Sequence, residues 1–297
     1  MANANPIVSG ITGYVEEHRS ELLSKSMLDG KSRRLFNLMV DVKGPTKLNR
    51  MDSEIEFKAL DCNWSPSGST EFTQRELVPA ALEVQIPFCD KNLLKTWAQY
   101  EVKVAAGTET LPFEERFTQQ IVDGVNEKIE KMIYQGQSGQ TNQFEGLISI
   151  LDGDANTVKV SGTSGASAYQ FIKEVVAAIP VKVKNPVVLV STPLYREFMQ
   201  DLVSANLFHY DPGNGENEYK LPGTDIRIIA VDGLIGADKY AIAANLDNIF
   251  YGVSADGDED TWDLWYSKDN REFRLDIAFV AGVQVGYPDE VVLGERQ

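Results

Sequence analysis

The chain has 297 residues, with 44 Asp or Glu against 28 Lys or Arg and a formal charge of −16. That length can bury a core in one large domain or two ordinary ones. No apolar run approaches the ~20 residues of a bilayer span, so no membrane helix is expected. Cys62 and Cys89 are too few for a disulfide framework or a four-sulfur metal site and read as reduced thiols of a cytosolic protein, while the acidity disfavours wide contact with nucleic-acid phosphates.

No basic segment followed by an apolar one opens the sequence, so no secretory signal is expected. The first fifty residues hold eight basic against five acidic side chains. A mildly basic arm on an acidic body suits an arm of one copy lying on the body of another. Residues 11–42 read as helical pieces, the first capped by Thr12 and the second carrying Arg33 to Val40, with Lys43-Gly44-Pro45-Thr46 as a break. From Ser53 to Pro87 the period changes to two: Ile55 and Phe57 alternate with charges, as do Leu82, Val84 and Ile86, and a turn-rich tip spans Cys62 to Ser69. These two runs predict a long two-stranded ribbon that needs something else to rest on.

Asp90 caps a short predicted helix bearing Leu93, Leu94, Trp97 and Tyr100. Pro112 to Gln135 then reads as one amphipathic helix, about 36 Å long at ~1.5 Å per residue. Phe113, Phe117, Ile121, Val125, Ile129, Met132 and Ile133 form its apolar stripe. Thr110 is the expected cap, Pro112 suits the first turn, and Gly136 the expected left-handed stop. A polar loop follows. From Val158 strands and helices mix: a helix opened by Ser164 or Ser167 and running through Ile179, a buried strand at 186–191, a helix from Thr192-Pro193 through Leu202, and strands at 225–231, 240–244, 249–253, 263–266 and 271–285.

No convergent catalytic set emerges. His18 and His209 are the two histidines, and no Gly-x-Ser-x-Gly elbow accompanies them. The stretch Asp256 to Asp263 has the first carboxylate spacings of a calcium loop but Thr261 where Gly is needed and Ser267 where Glu is needed, so a solvated turn is expected, as at Asp152-Gly153-Asp154. Gly213 and Gly215 precede no Lys-Ser or Lys-Thr pair, which leaves a phosphate cradle unsupported. An acidic α+β hydrolase using His209 or a carboxylate pair is the competing class.

The order of parts resembles the major capsid proteins of tailed bacteriophages, the Hong Kong 97-type fold, over nearly the whole chain. The residues that carry it are the long helix, Phe144-Glu145-Gly146-Leu147 after it, Leu221-Pro222-Gly223-Thr224, Asp247 to Gly252, and Gly282 to Pro288. The resemblance implies an α+β chain with an N-terminal arm (1–50), an extended β-ribbon loop (51–88), a peripheral domain (89–150) containing a spine helix at 112–135, an axial α/β domain (151–255), and return strands of the peripheral domain (256–297). It implies a structural, non-enzymatic subunit without cofactor or metal, which forms the pentamers and hexamers of an icosahedral head around double-stranded DNA, inside the host cytoplasm and away from membranes. An acidic lining leaves packed DNA mobile. Separate scaffolding, portal or decoration proteins are expected partners. Assembly contacts are expected at Arg33, Arg34, Lys58, Trp64, Glu71 and Arg75, with Arg33 and Arg34 meeting acidic surface on a neighbour. An encapsulin-like compartment shares the same fold. Some relatives crosslink a loop Lys to an Asn of a neighbour; Lys58 lies in the right part, but neither partner of that reaction can be matched.

Overall fold

The computed structural model describes residues 6–28, 30–59, 67–89, 99, 113–137, 139–140, 142–207, 217–221, 223–254, 261–267, 269–270 and 272–297. Its centre is the helix α3 (Phe113–Gln135), preceded in the chain by α1 (Pro6–Leu28) and α2 (Lys31–Leu35). Val125, Ile129 and Ile133 of the expected stripe are buried, joined by Val122 and Tyr134. Thr110 and Pro112 lie outside the described residues. Gly136 does end the helix, but not through a left-handed backbone, since its φ is not positive. A Cβ there would stand 2.0 Å from the Phe144 carbonyl oxygen, and the Gly146 N–H donates to the Gly136 oxygen at 3.0 Å. Close backbone approach is what requires this glycine.

A five-stranded sheet packs on one side of α3. It comprises β1 (Asn37–Val40), β4 (Ala80–Cys89), β10 (Ile249–Ser254), β11 (Thr261–Ser267) and β12 (Glu272–Val285). Strand β4 runs antiparallel along one edge of β12, and β11 and β10 occupy successive stretches of the other. Strand β1 adds in parallel to β10. The period of two is clean in β12: Phe273, Leu275, Ile277 and Phe279 point to the core while Glu272, Arg274 and Asp276 point out.

The second sheet has six strands in the order β5 (Val158–Ser161), β13 (Val292–Glu295), β9 (Tyr240–Ala244), β6 (Val187–Ser191), β8 (Arg227–Val231), β7 (Glu218–Lys220). Helices α5 (Ala168–Ala177) and α6 (Thr192–Ser204) cover one face, with Phe171, Val175, Leu194 and Phe198 against Val188, Val190 and Ile228. The opposite face, with Leu189, Ile229 and Ile242, joins the core around α3 and α4 (Leu147–Gly153). Both faces being covered explains why β6 is apolar without alternation. The Ser167 and Ser191 hydroxyls cap α5 and α6 by accepting from the Gln170 and Leu194 N–H groups.

Several sequence expectations change. Thr12 lies inside α1, and residues 37–40 form a strand. The ribbon is made by β2 (Thr46–Glu54) and β3 (Ser69–Leu77), whereas the run containing Leu82, Val84 and Ile86 leaves it to pair with β12. The paired strands of the ribbon thus lie at 46–54 and 69–77, and residues 80–88 of the expected 51–88 loop belong to the five-stranded sheet. Strand β10 joins the five-stranded sheet, and β13 enters the six-stranded one instead of returning with β11 and β12. Asp90 to Tyr100 apart from Gln99, together with His209, Gly213, Gly215 and Asp256 to Asp260, lies outside the described residues.

Candidate assembly surfaces

The ribbon is a sheet of its own, so both outer edges keep unpaired backbone groups. Its register puts Met51 opposite Phe72 on one face, flanked by the Asn49–Gln74 and Ser53–Thr70 side-chain hydrogen bonds. Met51 and Phe72 are 57 % and 74 % exposed; past the end of β2, Ile55 and Phe57 are 77 % and 99 % exposed. Large apolar groups in the open on a protruding element mark a contact surface, since ordinary burial would have removed them from water. On the other face Asp52 stands directly opposite Glu71, with the Arg50 guanidinium paired to Asp52 at 2.5 Å and offsetting the like charge.

The root of the ribbon is pinned to its own body by two arginines. Arg50 pairs with Asp289 at 2.8 Å and sits over the Tyr287 ring, its guanidinium carbon 4.8 Å from the centroid. Lys182 completes the Asp289 pair. Burial alone would raise the Asp289 carboxyl, but the Lys182 hydrogen bond and the Arg50 and Lys182 charges outweigh it and hold the group below the usual carboxylate range. Arg75 pairs with Asp154 at 2.5 Å and donates to the Gln284 side chain at 3.3 Å. Asp154 is likewise held low: the Asn156 N–H and Arg75 overcome its burial.

The expected contact residues do not come together. Arg33 is buried within its own chain. It is 3 % exposed, donates to the Ser26 carbonyl at 2.9 Å and to the Asn126 side chain at 2.7 Å, and lies 3.9 Å from the Glu130 carboxylate of α3. The Ser32 N–H donates to Glu130 and the Ser32 hydroxyl bonds the Tyr134 hydroxyl, so α2 is fastened to the spine through buried polar groups. Burial also pushes the nearby Tyr251 phenol up to about 12. The sequence hides this because a buried arginine and an exposed one share the same letter; the signal is Glu130, an acidic residue one position from the apolar stripe. Arg34, one position on, is exposed at the surface. Arg75 is committed to Asp154 within the chain, while Lys58 and Glu71 are exposed on the ribbon and Trp64 lies outside the described residues.

The leading segment also differs from expectation. Helix α1 packs on α3 and β11 of its own chain, burying Val15, Leu22, Leu23 and Met27. His18 stacks on Tyr14 within α1. Among the described residues no cluster of three or more His, Cys, Asp or Glu could hold a metal ion, and no helix is long and apolar enough to cross a membrane.

No protein-family model matches the chain, and no curated protein matches it. Solved structures do. A chain of the satellite phage P4 procapsid with its size-determination protein aligns at TM-score 0.60 and 8 % identity, over 100 % of this chain and 98 % of that one. A Mycobacterium phage Che8 chain aligns at 0.52 and 14 %, over 89 % and 90 %. The virus-like particle of Pyrococcus furiosus aligns at 0.54 and 9 %, over 93 % and 96 %. Aligned over nearly their whole length with such chains, the chain has the α+β Hong Kong 97-type capsid fold. The identity is low enough that these likenesses speak for the fold alone.

Proposed function

We propose that this chain is the major capsid protein of a tailed phage, assembling as pentamers and hexamers into an icosahedral head around double-stranded DNA. The observation that carries the reading is the ribbon: it projects from a shell-type fold with Phe57 and Phe72 open to water. Ordering such an element costs about 1–2 kcal/mol per residue in backbone entropy, which burial against neighbouring copies offsets at about 25 cal/mol per Å². The net charge of −16 suits a wall that confines DNA without holding it. Separate scaffolding, portal or decoration proteins are the proposed partners, and the host cytoplasm the proposed place of assembly. Peripheral and axial domains correspond in this reading to the five- and six-stranded sheets.

Electron microscopy of the purified protein tests this directly. Closed shells or five- and six-membered rings are expected, and particles from infected cells should protect DNA from nuclease. A monomer that stays monodisperse at high concentration and hydrolyses a substrate would replace this reading with the enzymatic one. The likeness to a virus-like particle favours one further alternative, a protein compartment; shells filled with protein and free of nucleic acid would establish it.

A further inference from the structure

Among the described residues, every strand at the edge of a sheet carries a charged side chain except β1. Lys159 stands in β5, Glu218 and Lys220 in β7, Glu83 with Pro87 in β4, and Asp263 in β11, while both ribbon strands hold several charges. Charge and proline on an edge keep other chains from pairing with it. Strand β1, Asn37-Leu38-Met39-Val40, has neither. It pairs with β10 on one side and, among the described residues, with no strand on the other.

Its side chains are as open as its backbone. Leu38 is 40 % and Val40 69 % exposed, two residues apart and therefore on one face. An apolar edge left open in this way is a pairing site, and the order of its residues says what pairs there. In an antiparallel pairing centred on Met39, Leu38 falls opposite Val40 of a second copy and Val40 opposite its Leu38, so each apolar group meets another. Asn37 falls opposite Asp41, an amide donor facing a carboxylate. Asp41 has Lys43 at 3.5 Å, but both side chains are largely exposed and leave it open to a further partner. Exposed Arg34 before the strand and Asp41 after it also set the basic end of each copy toward the acidic end of the other.

We propose that β1 is a two-fold joint: two copies pair antiparallel through this edge, Met39 against Met39, and fuse their five-stranded sheets into one. A second copy fits where a foreign strand would not, because in that register the sequence is its own complement. Four residues make a small contact, weak between free subunits and strengthened where many copies are held together. The joint goes beyond the shell-building reading and does not depend on it, since two subunits suffice to form it.

Met39→Cys in the full chain tests the register. Directly opposed residues have Cα atoms roughly 4.5–5.5 Å apart, within disulfide reach, so mild oxidation should link the introduced thiol to its own counterpart. The product is a dimer on a non-reducing gel, with the 39–39 peptide pair identified by mass spectrometry. Leu38→Cys and Val40→Cys should each self-link about tenfold less, because those positions face their counterparts only diagonally at roughly 7–8 Å, yet should link to each other when the two proteins are mixed before assembly. Val40→Lys places a charge on the edge. Its denaturation midpoint should stay, since that side chain is exposed, while association read by sedimentation should fall about tenfold. The proposal is overturned if no 39–39 link forms, if the thiol bonds to Cys62 or Cys89 instead, if the 38 or 40 thiol self-links better, or if Val40→Lys associates normally or lowers the midpoint. Shells without the 39–39 link would sink the joint alone; the link without shells would leave the joint standing and sink the shell reading.

Discussion

Replacing Arg33 by Met would leave Glu130 enclosed and without its counter-charge, since Glu130 is only 6 % exposed and one of its oxygens has no hydrogen-bond donor. The subunit should lose about 3–5 kcal/mol in urea denaturation, the usual cost of breaking a buried pair from one side. Arg34→Glu, one residue away at the surface, should cost clearly less than Arg33→Met, since an exposed charge contributes only about 0–1 kcal/mol. Gly30 belongs to the same device: a Cβ there would fall 2.4 Å from Arg33 Nε and 2.5 Å from the Glu130 carboxylate, so the chain crosses the ion pair only because this residue lacks a side chain. On the outer face of the five-stranded sheet, Asp276 has the opposite problem. Burial, then the neighbouring Glu83 and Asp263, raise its carboxyl pKa. A raised folded value means that its ionised form opposes folding, so stability is lost as pH rises through that value. Asp276→Asn should therefore raise the denaturation midpoint at pH 7. That gain should vanish below about pH 3.9, where the carboxyl is protonated in both states.

At the scale of elements, the ribbon is a lever held at its root. Asp289 and Asp154 are both depressed, so what they contribute is present above the ordinary carboxylate range and fades as pH falls through their folded values. Hydrogen-exchange protection factors, which correct for the slower intrinsic exchange in acid, should fall in residues 46–54 and 69–77 as pH is lowered, and Asp289→Asn should produce part of that loosening at pH 7. Helix α1 is a different kind of attachment, made by apolar burial. Val15, Leu22, Leu23 and Met27 contribute about 1.5–3 kcal/mol each before the entropy of ordering them is subtracted. A chain without residues 1–28 should lose on the order of 5 kcal/mol in denaturant unfolding, a large part of a typical stability.

The legibility of these elements in the sequence followed their periodicity. The spine, with Ile129 and Ile133 four apart on one stripe, was readable almost to the residue, as were the serine-capped helices and the continuous apolar run of β6. Pairing was not readable. Leu82, Val84 and Ile86 show that a strand has one buried face, but alternation carries no information about which strand lies beside it, and here β12 wins over the ribbon because its Phe273, Leu275, Ile277 and Phe279 extend the same apolar face. Helix α1 was blurred because glycines and serines interrupt its apolar positions. The contact residues were the least legible, because whether Arg33 or Arg75 faces a neighbour depends on where Glu130 and Asp154 arrive in three dimensions.

For the whole molecule, correspondence over 89–100 % of the chain at 8–14 % identity shows how little of a fold resides in particular residues. In this chain the fold is an arrangement of burial: a rod flanked by sheets, with one two-stranded ribbon of its own. Substituting both Phe57 and Phe72 with Ser should spare the subunit, since neither contributes to its core, and should cut shell yield sharply in sedimentation assays.

Strand β13 lies inside the six-stranded sheet, paired with β5 on one side and β9 on the other. Until Glu295 has left the ribosome, β5 has no partner at its place in that sheet, and the groups meant for β13 stay wet. A nascent chain therefore cannot close the six-stranded sheet until synthesis has passed its five other strands.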